Sequence, residues 1–330
     1  MKKIVKIILA SFLILSAFTS CSKSQKAKER SVNIAIQPSA AFIPIYVAKE
    51  KGWIEEALAS SQVKVNWQEF ESGPPINESF AAGLSDIGLT GDVPTVSAFA
   101  AGQKVEIVGV PGNGPDAYAM LAKADNDAVN SPADLKGKKI ATVIGSTGHN
   151  LTKKLVDKYG MSMNDIELVN ISAGDVGIVL STGQVDAAVI WEPNVTRLVD
   201  NGTAKVIAYG SETTLRGTNT FLARKAFTKE NGDIISVILE QYARAAQAVP
   251  TLDEETLKKV ADDFRLTPDQ ILRLFPKYGM PVKCDDKDTA ALQDTCHFLV
   301  SIGKLLEEYN VADHVNNSYF EASNAKKYIK

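Results

Sequence analysis

Residues that carry metal and redox chemistry are scarce in this chain, whose 330 residues include three cysteines and three histidines. His149, His297 and His314 are scattered, and no Cys/His spacing matches a zinc site. The phosphate-cradling G-x-x-x-x-G-K-[ST] loop is missing, so the chain does not carry that machinery for nucleotide hydrolysis. Gly112-Asn113-Gly114-Pro115-Asp116-Ala117 imitates a dinucleotide fingerprint, but "YAMLA" behind it reads as a strand instead of the required helix. No cofactor is expected. Basic residues are in no excess: taking Lys2, Lys3 and Lys6 from the formal charge of −3 leaves −6, which argues against a nucleic-acid partner. Long apolar runs are also lacking, since Ile7–Leu15 is too brief to span a bilayer.

What is present at the start is an export signal over residues 1–20, with three lysines ahead of that short apolar core. Residues 21–30 read as a polar tether. The remainder is long enough for two ordinary domains. From Val32 the pattern alternates strand and helix: "VNIAI", a helix through "FIPIYVAKEKGWIEEAL", "VKVNWQEF", "DIGLT" and "VEIVGV" form one series. A second series runs from "AYAMLAKAD" through "KKIATVI", "IELVNIS" and "VDAAVI" to "AKVIAYG". Glycine-containing crossings at 111–116 and 211–219 join the two series, and a mostly helical tail follows residue 227, including a long run over 287–309. Gly114 is a hinge candidate. Cys284 and Cys296 either close one disulfide, worth roughly 3 kcal/mol for a short unstrained loop, or remain two reduced thiols.

In open parallel sheets, ligands sit beyond the carboxyl ends of the strands, where the next helices begin. The turns there are Gln37-Pro38-Ser39, Glu71-Ser72-Gly73-Pro74, Thr90-Gly91-Asp92, Gly145-Ser146-Thr147, Ala173-Gly174-Asp175 and Trp191-Glu192-Pro193. Capping alone accounts for any one of them. As a set they offer unpaired N–H groups and positive dipole ends without a single Lys or Arg. That combination suits a weakly basic, singly charged oxyanion better than phosphate or an amino-acid carboxylate, which would call for arginine. Ser146 and Thr147 supply hydroxyls and N–H groups, while Gly145 and Gly148 let an anion approach the backbone. Asp92 and Glu192 are expected to cap helices, with contact to a cationic ligand group as the sharper alternative. Trp191 suits either the core or the face of an apolar ligand tail. His149, one turn into its helix, is expected as a pocket wall or a helix-surface residue, and Thr218, Asn219 and Thr220 either line the cleft or end a strand.

"GDVPTVSAFAAG", "GSTGHNL", "AGDVGIVLSTGQVDAAVIWEP" and "TNTFLARKAF" resemble the substrate-binding proteins of ABC importers for aliphatic sulfonates, taurine and nitrate, over residues 33–228. The resemblance implies an α/β, two-lobed type II periplasmic-binding-protein fold with two crossover segments. Domain 1 would comprise 31–117 and 218–330, and domain 2 would comprise 118–217. It implies a non-enzymatic monomer that delivers an organosulfonate to an ABC permease and its ATPase subunit. The ligand set would be Gln37, Ser39, Ser72, Gly73, Thr90, Gly91, Asp92, Ser146, Thr147, Gly148, His149, Trp191, Glu192, Asn219 and Thr220. Phe18-Thr19-Ser20-Cys21 likewise resembles the lipobox of bacterial lipoproteins, which implies lipid on Cys21 and attachment to the outer side of the cell membrane. Competing readings keep the fold with nitrate or a pyrimidine or flavin precursor as ligand, or make the chain an exported hydrolase using Ser146 and His149, three residues apart at a helix start. Against the hydrolase stand the missing G-x-S-x-G elbow and the lack of an identifiable acid to orient the histidine.

Overall fold

The computed structural model describes residues 30–329; the signal segment and Cys21 lie outside them. The first series forms β1 (Arg30–Ile36), α1 (Ile43–Glu50), α2 (Trp53–Leu58), β2 (Val63–Glu69), α3 (Gly73–Ala81), β3 (Ile87–Gly91), α4 (Asp92–Ala100) and β4 (Val105–Gly109). The second forms β5 (Tyr118–Lys123), β6 (Lys139–Thr142), α5 (Thr147–Lys158), β7 (Glu167–Asn170), α6 (Val176–Ser181), β8 (Ala187–Trp191), α7 (Asn194–Asp200) and β9 (Ala204–Tyr209). β10 (Asn219–Arg224) leads into α8 (Lys225–Ala248), α9 (Glu254–Asp263), α10 (Pro268–Leu274), α11 (Asp286–Ser301) and α12 (Ser318–Ala322). Residues from Ser31 onward pack as one unit.

The strands make two five-stranded sheets, ordered β2-β1-β3-β10-β4 and β7-β6-β8-β5-β9. Both are mixed, where the sequence pattern suggested parallel sheets. β10 runs antiparallel to β3 and β4, and β5 antiparallel to β8 and β9. The crossings explain this. Each delivers its strand to the other sheet at the carboxyl ends of the parallel strands, so the arriving strand must run back. Asn219 therefore pairs with Gly91 and Tyr118 with Trp191. The same geometry sets the first residues of β5 and β10 among the helix starts.

The helix read over 42–58 is two helices. Gly52 adopts a left-handed φ of 64°, and the chain restarts at Trp53. The run read to residue 309 likewise ends at Ser301. α8 covers the first sheet through Tyr242, whose ring meets Phe221 edge-on at 4.9 Å. The Tyr242 hydroxyl donates within the core to the carbonyls of Ala41 and Pro111, at 2.9 and 2.7 Å. The disulfide alternative is corrected: Cys284 and Cys296 are both buried free thiols. Cys284 Sγ sits 3.6 Å from Thr289 Oγ1, while Cys296, inside α11, faces the Tyr309 carbonyl at 4.0 Å. Burial pushes the Cys284 thiol up to about 11, so it is held as an unreactive thiol.

Asp288, fully buried at the start of α11, joins the two crossings. Its Oδ1 accepts from Asn113 Nδ2 (2.9 Å) on the first crossing, and from Arg216 Nε (2.7 Å) and Thr218 Oγ1 (3.3 Å) on the second. The crossings also touch directly, with Asn219 N donating to Gly112 O at 2.8 Å. Gly114 is closely packed, for a methyl group there would lie 2.3 Å from the Lys277 carbonyl. Breaking a buried ion pair costs roughly 3–5 kcal/mol, and partial exposure of Arg216 places Asp288→Ala at the low end of that range. Urea unfolding should register this as a loss of about 3 kcal/mol, whereas a variant as stable as wild type would show that the crossings hold without it.

Candidate functional site

Helix starts following strands of both sheets converge on one cavity. α4 and α5 come closest. Ser146 caps α5, its Oγ accepting from Gly148 N at 3.1 Å, which leaves its own proton free to be donated. Opposite, the backbone of Gly91 lies so near α5 that a methyl group on it would sit 2.4 Å from the Thr147 hydroxyl. A methyl on Gly73, at the start of α3, would meet Pro94 Cγ at 2.3 Å. Both positions accept hydrogen only.

Between these elements lies a narrow cavity, partly open to solvent. From the first sheet's side Gln37, Ser39, Phe42, Gly73, Gly91 and Pro94 line it; Ser146, Thr147, Trp191 and Tyr118 do so from the other, with Asn219 at the second crossing. None of these side chains is charged. Gln37 is oriented by a bond from Nε2 to the Leu89 carbonyl at 3.0 Å. Asn219 gives its amide to the carbonyls of Gly112 and Gly217 and accepts weakly from Tyr118 Oη at 3.4 Å. Burial holds the Tyr118 phenol well above the ordinary tyrosine range, keeping it a neutral hydrogen-bonding group.

Several sequence-selected residues stand behind this wall. Thr90 and Thr220 are tied to Thr95, at 2.8 and 2.6 Å, and fix β3, β10 and α4 together. Gly148 is pressed against Thr142 and the Val189 carbonyl. Ser72 opens onto a neighbouring groove. His149 lines a different cavity, beside Leu299 and Lys304, with its ring edge-on to Phe298 at 5.3 Å. Its Nδ1 accepts from Gly145 N at 3.4 Å, so it serves the turn and does not face Ser146 Oγ. Glu192 caps α7, accepting from Thr196 N at 2.9 Å, and its other oxygen meets Lys277 Nζ at 2.6 Å. Phe42, Pro94, Tyr118 and Lys277 were missed by sequence reasoning. Only Pro94, a proline in a first helical turn, left a local signal.

Asp92 is the buried charge at the centre. Its Oδ1 accepts from Val93 N at 2.8 Å and from Thr147 Oγ1 at 2.5 Å. Oδ2 accepts from Thr295 Oγ1 at 2.7 Å and from Asn150 Nδ2 at 3.2 Å. One carboxylate thus binds α4, α5 and α11. Burial pushes its carboxyl above the usual range, and the bonds from Thr147, Thr295, Val93 and Asn150 pull it back. The C-terminal helices add a second line of contact to the second sheet's helices. Arg273 and Gln270 reach Asp200, at 2.5 and 2.7 Å, and Asp294 meets Lys154 at 2.5 Å. The exposed Arg273–Asp200 pair contributes little, being screened by solvent. Lys277 on the fully buried Glu192 counts for more, because removing the lysine would strand a carboxylate.

Two mixed sheets with flanking helices, meeting at a cleft lined from both, make a periplasmic-binding-protein fold of the kind seen in alkanesulfonate-binding proteins. The chain belongs to the NMT1/THI5-like family, whose model matches residues 39–254. It is 29% identical over 295 residues to a putative aliphatic sulfonates-binding protein of Escherichia coli K12, covering 89% of each chain. To the protein of the same description in Bacillus subtilis 168 it is 29% identical over 325 residues, covering 97% of this chain and 96% of that one. Its structure is similar to the alkanesulfonate-binding protein SsuA of Xanthomonas axonopodis pv. citri bound to MOPS, with a TM-score of 0.77 and 28% identity, covering 87% of this chain and 98% of that one.

Two outcomes follow from the geometry. Gly91→Ala should displace the Thr147 hydroxyl that donates to Asp92, weaken ligand binding by at least tenfold and lower thermal stability as well; unchanged affinity by calorimetry would show that α4 and α5 need not approach. His149 is held below the ordinary imidazole range, by burial first and by the Lys304 charge second. A depressed value means that its contribution to stability is complete above about pH 6.5 and is lost as pH falls through the folded value. An NMR titration should place its midpoint below that of an unperturbed histidine, and a midpoint at or above it would contradict the burial.

Proposed function

We propose that this chain is an extracytoplasmic binding protein that captures an aliphatic sulfonate and delivers it to an ABC import permease powered by a separate ATPase subunit. The observation that carries the reading is a cavity walled by uncharged hydrogen-bonding groups at two facing helix starts. A sulfonate spreads one negative charge over three weakly basic oxygens, and such an ion is stabilised by several neutral donors and dipole ends. The nearby carboxylate of Asp92 is already satisfied by four donors, so it does not compete for them. The names of the relatives point to the same class of guest. Nothing in the reading requires catalysis: Ser146 has no histidine beside it, because His149 serves the Gly145 turn and belongs to another cavity.

Closure follows from the two-lobed architecture. The division we propose is 31–117 with 218–330 against 118–217, turning about the crossings that Asp288 joins. A guest touching both sets of helix starts favours the closed form by its differential affinity. The closed surface then docks on the permease. We further propose that Cys21 carries lipid, on the strength of the lipobox-like Phe18-Thr19-Ser20-Cys21, and that the binding unit works as a tethered monomer.

Isothermal titration with methanesulfonate, ethanesulfonate and taurine should give measurable heat, and Ser146→Ala should weaken binding about tenfold or more, as expected for losing a hydrogen bond to a charged group worth ~1.5–3 kcal/mol. Silence across the sulfonates with binding of nitrate or a pyrimidine would reassign the ligand.

A further inference from the structure

On the other side of the start of α5 lies a separate cavity of about 320 Å³, a size within the range of small-molecule sites. It shares no lining residue with the inner cavity: Ser146 and Thr147 line that one, while Gly145 and His149, which flank them in the chain, line this one. Its walls come from three places. Ser97, Ala100 and Ala101 stand at the end of α4, Ile144 in the turn before α5, and Leu299 and Ile302 at the end of α11. The lining is mainly apolar, and Ile144 stays 39% exposed, a cost in water that an occupant would remove.

Two groups in this wall are placed to hold a charge. Lys304 is the only charged residue in the lining, and it enters no ion pair among the described residues. Its backbone is fixed, because Gly303 turns the end of α11 with a left-handed φ of 67° and Lys304 N then donates to Leu299 O at 2.9 Å. His149 supplies the second group. Its Nδ1 accepts from Gly145 N at 3.4 Å, so the neutral ring carries its proton on Nε2, which is bonded to no group among the described residues. Burial first, and the Lys304 charge second, hold this imidazole below its ordinary range, so the ring is neutral at about pH 7 and close enough to feel the ammonium.

We propose that this cavity is a second binding site, for a small amphipathic carboxylate, whose apolar body packs on Ala100, Leu299 and Ile302 while its two oxygens are shared between the Lys304 ammonium and the His149 Nε2–H. A neutral guest would leave the lysine unpaired, and a dianion would find no second cation. The site does not depend on the sulfonate reading of the inner cavity. Since its walls come from both of the proposed lobes, a guest here does not oppose closure around a guest there.

The test is isothermal titration of the full chain in lipid nanodiscs with acetate, butanoate, hexanoate and octanoate, empty discs serving as the blank. Affinity should climb about fourfold per methylene, which corresponds to ~0.8 kcal/mol per buried CH₂. Lys304→Ala should weaken hexanoate binding about tenfold, and Lys304→Arg should restore it. Ala100→Phe, at an exposed position of α4 where the ring would fill the cavity, should abolish the heat; melting curves verify that each variant is folded. Saturating methanesulfonate should leave hexanoate affinity unchanged or raise it. Absence of heat from every carboxylate, wild-type affinity in both Lys304→Ala and Ala100→Phe, or hexylammonium binding as tightly as hexanoate would overturn the proposal. Displacement of hexanoate by methanesulfonate would place the carboxylates in the inner cavity and overturn it as well.

Discussion

The arrangement depends on a contact that tolerates nothing larger than hydrogen: the backbone of Gly91 against the hydroxyl of Thr147. It brings the starts of α4 and α5 together from different sheets, and it leaves the space between them to be filled by neutral donors. Asp92 could not be buried there without it. Its carboxylate is tolerated because Val93, Thr147, Asn150 and Thr295 each donate to it, and three of those donors lie outside its own helix. An unpaired buried carboxylate would cost several kcal/mol, so Asp92 favours the one arrangement in which all four donors reach it.

The C-terminal helices convert this local contact into a property of the whole chain. α10 and α11 reach the second sheet's helices through Asp200, Lys154 and Asn150, and the segment between them through Glu192. They are attached to the first sheet's side by the core around Tyr242 and by the stretch around Val282, which pairs with Val110. The tail is therefore more than a cover for the first sheet.

Much of the architecture was legible. The α/β alternation, the two crossings, the apolar face of α5 at Leu151, Leu155 and Val156, and the cap at Ser146 all follow from short-range periodicity and cap chemistry. Position in the cavity was legible for residues whose backbone sits at a helix start, such as Ser39, Gly73, Gly91, Ser146 and Thr147. It failed where a neighbour from elsewhere in the chain decides which way a side chain turns. Thr90 and Thr220 look equivalent to Thr147 in the sequence, yet Thr95 draws both away from the cavity. Likewise Phe298 and the Gly145 amide orient His149 toward another cavity.

The sequence by itself determined which segments become strands and helices, which helix starts are capped by small polar residues, and that those starts carry no basic side chain. These are properties of a few neighbouring residues, so composition and spacing are enough to set them. Only the tertiary structure decided that α4 and α5 face each other, that Tyr118 and Asn219 enter the site at the heads of antiparallel strands, and that Lys277 neutralises Glu192. Those relations join residues tens to hundreds of positions apart, and they exist only because each crossing returns the chain to the other sheet at its carboxyl end.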